Sequence, residues 1–321
     1  NPPITMVADT ATCSLSSITL DPIGFDSLYT YLWDDFSTAD TLLVNSSGYY
    51  VVTVTYDGKC SSVKDVFVQF LSTPSNPIVN DTSICSSRDI DLGLIVNDGI
   101  MVWYDSSNLG ETVYLSSPQN TYIDDTTDFW VDIAPKATTR LGRQRFPTPN
   151  ILSSYSNFTV PNEFEVHQYA ILDSVALYVE TAPATVVIKL EDSTTVLSST
   201  TFTILEAKQK VFVPLNYLIP PGNKYELVFS SFDAKVLQDT SEVISYTSSA
   251  NIATVKGKNN IGYFSNFFDW HFTYAFPDCH SAADTFTVSV NMPVDLVDSL
   301  HTCDTIPLDI SDSSIASYLW S

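Results

Sequence analysis

Basic residues are scarce in this sequence. The 321 residues include 14 lysines and arginines against 37 aspartates and glutamates, a formal net charge of -23. Nucleic acid and anionic membrane are bound through basic patches, so a field of this sign argues against both. Long apolar runs are missing as well. No stretch of about 18 apolar residues occurs, so no span by an apolar helix is expected and no membrane insertion. No signal peptide is visible. Asn1-Pro2-Pro3 reads as a linker between modules, and the start looks internal to a longer chain. Helical periodicity is absent over any long stretch. The four histidines, His167, His271, His280 and His301, are scattered. No His-Glu-x-x-His, Gly-x-Ser-x-Gly or Gly-rich phosphate loop is present, so the expectation is a protein that is not an enzyme.

What is there is strand-forming. Hydrophobic residues make up 44% of the chain, too many for a disordered acidic tail. Val, Ile, Thr, Tyr and Phe recur in short runs between Asp, Asn, Ser and Pro, the pattern of an all-β protein.

The runs repeat. Cys60-Ser61-Ser62-Val63-Lys64-Asp65-Val66-Phe67 returns as Cys279-His280-Ser281-Ala282-Ala283-Asp284-Thr285-Phe286, both reading Cys-x-Ser-x-x-Asp-x-Phe. A tryptophan follows an earlier cysteine three times: Trp33 after Cys13, Trp103 after Cys85 and Trp320 after Cys303. Tyr31-Leu32-Trp33 and Tyr318-Leu319-Trp320 are identical triplets. Such self-similarity marks three starts of one module. In the first, Tyr56-Asp57-Gly58-Lys59 is a hairpin turn between strands, and Cys60 opens the last strand. A cysteine, a tryptophan about 20 residues on and a second cysteine is the immunoglobulin-like spacing. It predicts bonds from Cys13 to Cys60 and from Cys85 to Cys279, with free buried cysteines as the alternative. Cys303 is left over, its mate expected outside this sequence. Paired cysteines place the protein outside the cytoplasm, secreted or at the cell surface.

In the second module the closing cysteine is delayed by about 140 residues, entering where the first has its Asp57-Gly58 turn. Turn tips tolerate such insertions. The stretch from 137 to 276 holds 10 of the 14 basic residues and 12 of the 37 acidic ones, so it is nearly neutral. Short strands are expected at 171–179, 185–190, 195–205, 211–218, 225–229 and 243–247. About eight antiparallel strands with first and last adjacent suggest a jelly roll. The predicted layout is tandem immunoglobulin-like β-sandwiches with a jelly-roll β-sandwich inserted in the second. Module 1 covers 1–72, the split module 2 covers 76–135 and 277–292, the insert 136–276, and the start of module 3 covers 293–321.

Candidate ligand-binding residues fall in the insert. Arg140, Arg143 and Arg145, with Lys256 and Lys258, form the basic clusters, suited to an acidic glycan or partner through bidentate arginine contacts; solvated loops are the plainer reading. Phe268, Trp270, Phe272, Tyr274 and Phe276 alternate along one strand face, and Trp270 and Tyr274 are candidates for a sugar-stacking platform. The alternative is a core strand. Asp34-Asp35 and Asp124-Asp125-Thr126-Thr127-Asp128 carry the oxygen ligands calcium takes, without a defined ligand spacing, so solvated acidic turns are favoured. No other cofactor or metal is indicated.

Tyr-Leu-Trp after a cysteine, Gly48-Tyr49-Tyr50-Val51-Val52-Thr53-Val54 before one, and Trp103-Tyr104-Asp105-Ser106 resemble the immunoglobulin-like modules of large cell-surface proteins of the Bacteroidota. Many of those are exported by type IX secretion, and they include gliding-motility adhesins. Leu172-Asp173-Ser174-Val175 and 219–227 resemble the jelly-roll domains placed inside such modules. The resemblance implies adhesion to an extracellular glycan or surface, or contact with neighbouring modules of the same long chain. The alternatives are a structural filament and a non-catalytic module of a secreted hydrolase. It also implies O-glycosylation where Asp precedes Ser or Thr, at Thr10, Ser27, Thr41, Thr126, Ser174, Ser193, Ser299 and Thr305.

Overall fold

The computed structural model describes residues 2, 4–22, 28–91, 99–104, 112–115, 120–142, 153–156, 161–192, 195–230, 234–239, 245–256 and 266–290. The third module start, with Cys303, Trp320, Ser299 and Thr305, lies outside these residues, as do Ser27 and Ser193. The protein is all-β. The chain divides into two compact units, one of Asn1–Pro74, Asp98–Ile100 and Ala134–His280, the other of Ser75–Asn97, Met101–Ile133 and Ser281–Ser321.

The first unit opens with an immunoglobulin-like sandwich. Its strands are β1 (Thr10–Thr12), β2 (Ile18–Leu20), β3 (Tyr29–Trp33), β4 (Leu42–Val44), β5 (Gly48–Tyr56) and β6 (Cys60–Phe70). One sheet runs β1-β6-β5-β3, and β2 pairs with β4. Alternation along β5 turns Val52 and Val54 inward onto Trp33, Tyr31, Val66 and Val68. Trp33 donates its indole N–H to the Ala39 carbonyl at 2.9 Å, the partner a buried indole needs. Between β5 and β6 both Asp57 (φ 48°) and Gly58 (φ 63°) are left-handed, as a two-residue hairpin with the strands' twist requires.

In the second unit the same module is seen again. It comprises β7 (Thr82–Ile84), β8 (Arg88–Asp91), β9 (Ile100–Tyr104), β10 (Thr112–Leu115), β11 (Asn120–Ile123) and β12 (Thr127–Ala134). After an interval of twelve strands it closes with β25 (Asp284–Val290). Its sheet runs β10-β9-β12-β25-β7, and β11 pairs with β8. The edge strand pairs in parallel with the last strand in both modules, Thr12 against Phe70 and Ile84 against Val290. Trp103 packs edge-on to Phe129 and Phe286 in a core of its own.

The interval belongs to the first unit and folds as a second sandwich there. Its strands are β13 (Lys136–Leu141), β14 (Ser153–Ser156), β15 (Asn162–Val166), β16 (Ala170–Leu177), β17 (Ala184–Asp192), β18 (Thr195–Ile204), β19 (Val211–Ile219) and β20 (Gly222–Ser230), then β21 (Val236–Asp239), β22 (Tyr246–Thr247), β23 (Ala253–Lys256) and β24 (Phe268–Ala275). One sheet is β13-β24-β16-β19, the facing one β18-β17-β20-β15-β23-β22. The alternating aliphatics of β16, β17 and β20 close the largest core of the molecule with Phe164, Trp270 and Phe272. First and last major strands, β13 and β24, lie side by side from Lys136–Ala275 to Leu141–Trp270.

The first module and the insert share one unit, where the sequence suggested separate bodies, because polar and apolar contacts join them. Gln69, at the end of β6, donates its amide to the Thr138 carbonyl at 2.7 Å and accepts from the Thr138 amide at 2.8 Å. Ala11 and Leu71 pack against the insert's core.

The cysteines pair differently from the expectation. Cys13 is bonded to Cys279, with Cα atoms 6.4 Å apart, and Cys60 and Cys85 are free and exposed. The reason is strand polarity. Cys13 follows Thr12, which pairs with Phe70 at the end of β6, whereas Cys60 sits at its start against Tyr56. Ten residues of strand, about 33 Å at about 3.3 Å each, separate those ends. No cross-sandwich bond spans that distance, and Trp33 packs on aliphatic side chains instead.

Gly142 follows β13 at φ 82°, and a Cβ there would stand 3.3 Å from Trp270 Cδ1. Gly142→Ala is therefore expected to cost about 1–2 kcal/mol, read as a lower urea midpoint with unchanged slope.

Candidate functional site

Two clusters in the first unit combine chemistry-bearing side chains. The first surrounds Asp269. On β24 it follows Phe268 and precedes Trp270, and strict alternation would expose it. Register shifts between β16 and β24 and a left-handed φ of 41° turn it inward instead, to 0% exposure. Arg140 donates through Nε at 2.8 Å to one carboxylate oxygen and through Nη2 at 2.7 Å to the other. Lys210 pairs with the second oxygen, and His271 Nε2 stands 3.3 Å from the first. Burial alone would raise the pKa of this carboxyl. His271, Arg140 and Lys210 outweigh that and hold it well below the usual carboxylate range. Arg140 also lies 4.9 Å over the Tyr49 ring and 3.9 Å from Asp65 of the first module. A carboxylate this enclosed meets no solute, so the cluster fastens β13 and β24 to the first module.

The second cluster is an open cleft of about 310 Å³. Asp9, Thr10, Ala11 and Gln69 come from the first module, and Thr138, Thr139, Gln168, Ser249, Ala250, Ile252, Tyr274, Phe276 and Pro277 from the insert. No cation lines it. Burial pushes the Asp9 carboxyl up, although one oxygen accepts the Phe67 amide at 2.8 Å. Burial pushes the Tyr274 phenol up to about 12. The Thr139 hydroxyl, on a residue 2% exposed, has no hydrogen-bond partner among the described residues. Phe276 is half-buried and offers part of its ring. The Gln168 amide and the Ser249 hydroxyl beside a half-buried ring suit a neutral, hydroxyl-rich ligand.

The expected site residues fare unevenly. Trp270 is 0% exposed, enclosed by Phe164, Phe267 and Phe272, so it presents no face to a sugar. Period two put the aromatic face on the core side, the alternative the sequence offered. Tyr274 is buried too, but lines the cleft. Of the basic clusters, Arg143, Arg145 and Lys258 lie outside the described residues. Arg140 is committed to Asp269, and Lys256 pairs with Glu165. The acidic turns spend oxygens on themselves: Asp35 accepts the Ser37 amide at 2.8 Å, and Asp125 the Thr126 amide at 2.7 Å. Among the described residues no three His, Cys, Asp or Glu gather as a metal site. Of the expected glycosylation residues, Thr126 is exposed, and Thr10, Thr41 and Ser174 are half-buried. Sequence reasoning passed over Asp9, Gln69 and Thr139 because they are far apart in the chain.

No family model matches the chain, and no curated protein does. Among solved structures it is similar to Sidekick-1 immunoglobulin domains 1-5, at 12% identity and TM-score 0.26, covering 89% of this chain and 58% of that one. This chain therefore spans little more than half of that structure's length. It is also similar to Dpr2 Ig1-Ig2 in complex with DIP-Theta Ig1-Ig3, at 12% identity and TM-score 0.26, covering 81% of this chain and 95% of that one. A third is the Bacteroides ovatus mixed-linkage glucan utilization locus SGBP-B in complex with a mixed-linkage heptasaccharide, at 9% identity and TM-score 0.17, covering 78% and 96%. The immunoglobulin-like assignment is carried by the sheet order, not by these scores.

Proposed function

We propose that this chain is an extracellular, non-catalytic binding segment of an adhesin-like surface protein, in which the inserted sandwich takes a neutral oligosaccharide. The observation that carries this is the cleft beside Tyr274, lined by the half-buried Gln168 amide, the exposed Ser249 and part of the Phe276 ring. Its volume is at the small end of the ligand-pocket range of about 300–1,000 Å³, which fits one or two sugar rings. The strand order of the insert reads as a jelly roll: its major strands, numbered from β13 to β24 without the short ones, run 1-8-3-6 and 5-4-7-2. The repeated modules act as acidic spacers. The disulfide supports an oxidising compartment. The resemblance to Bacteroidota surface modules favours export by type IX secretion and a part in gliding or attachment.

The test is Gln168→Ala, which removes a half-buried amide from the lining of the cleft. Truncating a half-buried side chain at the cleft surface should change stability by no more than about 0.5 kcal/mol. Affinity for the oligosaccharide that the parent chain selects from a neutral glycan array should fall about ten-fold, the loss of one ligand hydrogen bond. A parent chain that takes only acidic glycans, or a variant that binds as tightly, would overturn the assignment of this cleft.

A further inference from the structure

The repeat and the closed disulfide together define two kinds of cysteine. Cys13 directly follows the edge-strand residue paired with Phe70, and Cys85 directly follows the one paired with Val290. These are trailing cysteines, one per module. Cys60 and Cys279 each begin Cys-x-Ser-x-x-Asp-x-Phe, Cys60 at the first residue of the last strand and Cys279 five residues before it. These are leading cysteines. The parallel pairing puts the two kinds at opposite ends of the last strand, so they never meet within one module. The closed bond obeys this rule: it joins the trailing cysteine of the first module to the leading cysteine of the second. Cys60 and Cys85 remain, one of each kind, both exposed and free.

We propose that Cys60 and Cys85 are open halves of the same staple. Each takes the opposite kind of cysteine from another copy of the module, so that successive modules are joined by a relay of disulfides. A second copy of this chain supplies both partners, each bond joining unlike cysteines of two chains. The chemistry is thiol-disulfide exchange with a disulfide oxidant such as glutathione disulfide. One protein thiolate attacks it, forming a mixed disulfide and releasing one glutathione thiol. The second protein thiolate then attacks the protein sulfur, releasing the other glutathione. Two protein thiols are oxidised, one glutathione disulfide is reduced to two thiols, and the two protons of the protein thiols end on the glutathione thiols by way of water. The inference stands apart from the sugar cleft.

The experiment equilibrates the whole chain, with Cys303→Ser to remove the third trailing cysteine, in a glutathione redox buffer. Non-reducing electrophoresis and peptide mapping read the links. Random pairing would give as much Cys60–Cys85 as the two like-with-like links together. Docking raises the effective concentration of the matched pair, so Cys60–Cys85 between chains should exceed those links about ten-fold. Cys60→Ser should then abolish the ladder while Cys13–Cys279 stays closed. Four results would overturn the proposal: abundant Cys60–Cys60 or Cys85–Cys85 links, a Cys60–Cys85 bond within one chain, a ladder that survives Cys60→Ser, or a chain that stays monomeric with both thiols reduced.

Discussion

Replacing Asp269 by asparagine should lower the stability of the first unit by about 3–5 kcal/mol, the cost of breaking a buried ion pair from one side. Asparagine tolerates the left-handed backbone at this position, so the change isolates charge from strain. Arg140 and Lys210 would then face a neutral amide, with side chains 15% and 26% exposed. Lys210, the more exposed, can turn toward water, which places the expected value near 3 kcal/mol. Denaturant unfolding followed by tryptophan fluorescence gives the number. The pH dependence supplies a second reading. The folded carboxyl has a depressed pKa, so its contribution is complete above the unfolded value of about 3.9 and is lost as pH falls toward the folded one. The gap between parent and variant should stay level from about pH 5 to 8 and shrink below about pH 4. A gap that instead widened in acid would mean that the carboxylate is not held by these cations.

That cluster also marks where the sequence stopped being readable. Period-two alternation locates β24, and it assigns Trp270, Phe272 and Tyr274 to one face. It assigns Asp269 to the other. What defeats it is a pair of register shifts against β16, and a bulge leaves little trace in a strand's own residues because it depends on the partner strand. The module repeat was legible because its evidence is local and recurs: an edge strand, a tryptophan strand and an antiparallel pair appear twice in the same order. The cleft was not, since Asp9, Gln69, Thr139 and Tyr274 come from four separate stretches and share no spacing. Where sequence supplied composition in place of contact, as for Arg140, it named a residue worth watching and misjudged its partner. The partner proved to be internal, and its nearest clue was an acidic residue inside an aromatic run.

Cys13→Ser, or Cys279→Ser, should destabilise the first unit by about 2–5 kcal/mol, while Cys60→Ser should change it by no more than about 0.5 kcal/mol. The contrast follows from the pairing. A bond across 266 residues removes much of the freedom of the unfolded chain, and the entropy model gives its largest values for loops of this length. The full value is not expected, because the first module and the insert also hold each other through Gln69 and Arg140. Immunoglobulin-like spacing predicts the reverse pattern, with Cys60 as costly to lose as Cys13. Thermal melts of the three serine variants, with and without reductant, separate the two. Reductant should bring the parent down to the level of Cys13→Ser and leave that variant where it is. If Cys60→Ser falls as far as Cys13→Ser, the cross-sandwich bond returns and the relay between modules loses its basis. If only Cys13→Ser and Cys279→Ser fall, and together no further than either alone, the two sulfurs act as one bond between the edge of the first module and the chain that leads into β25.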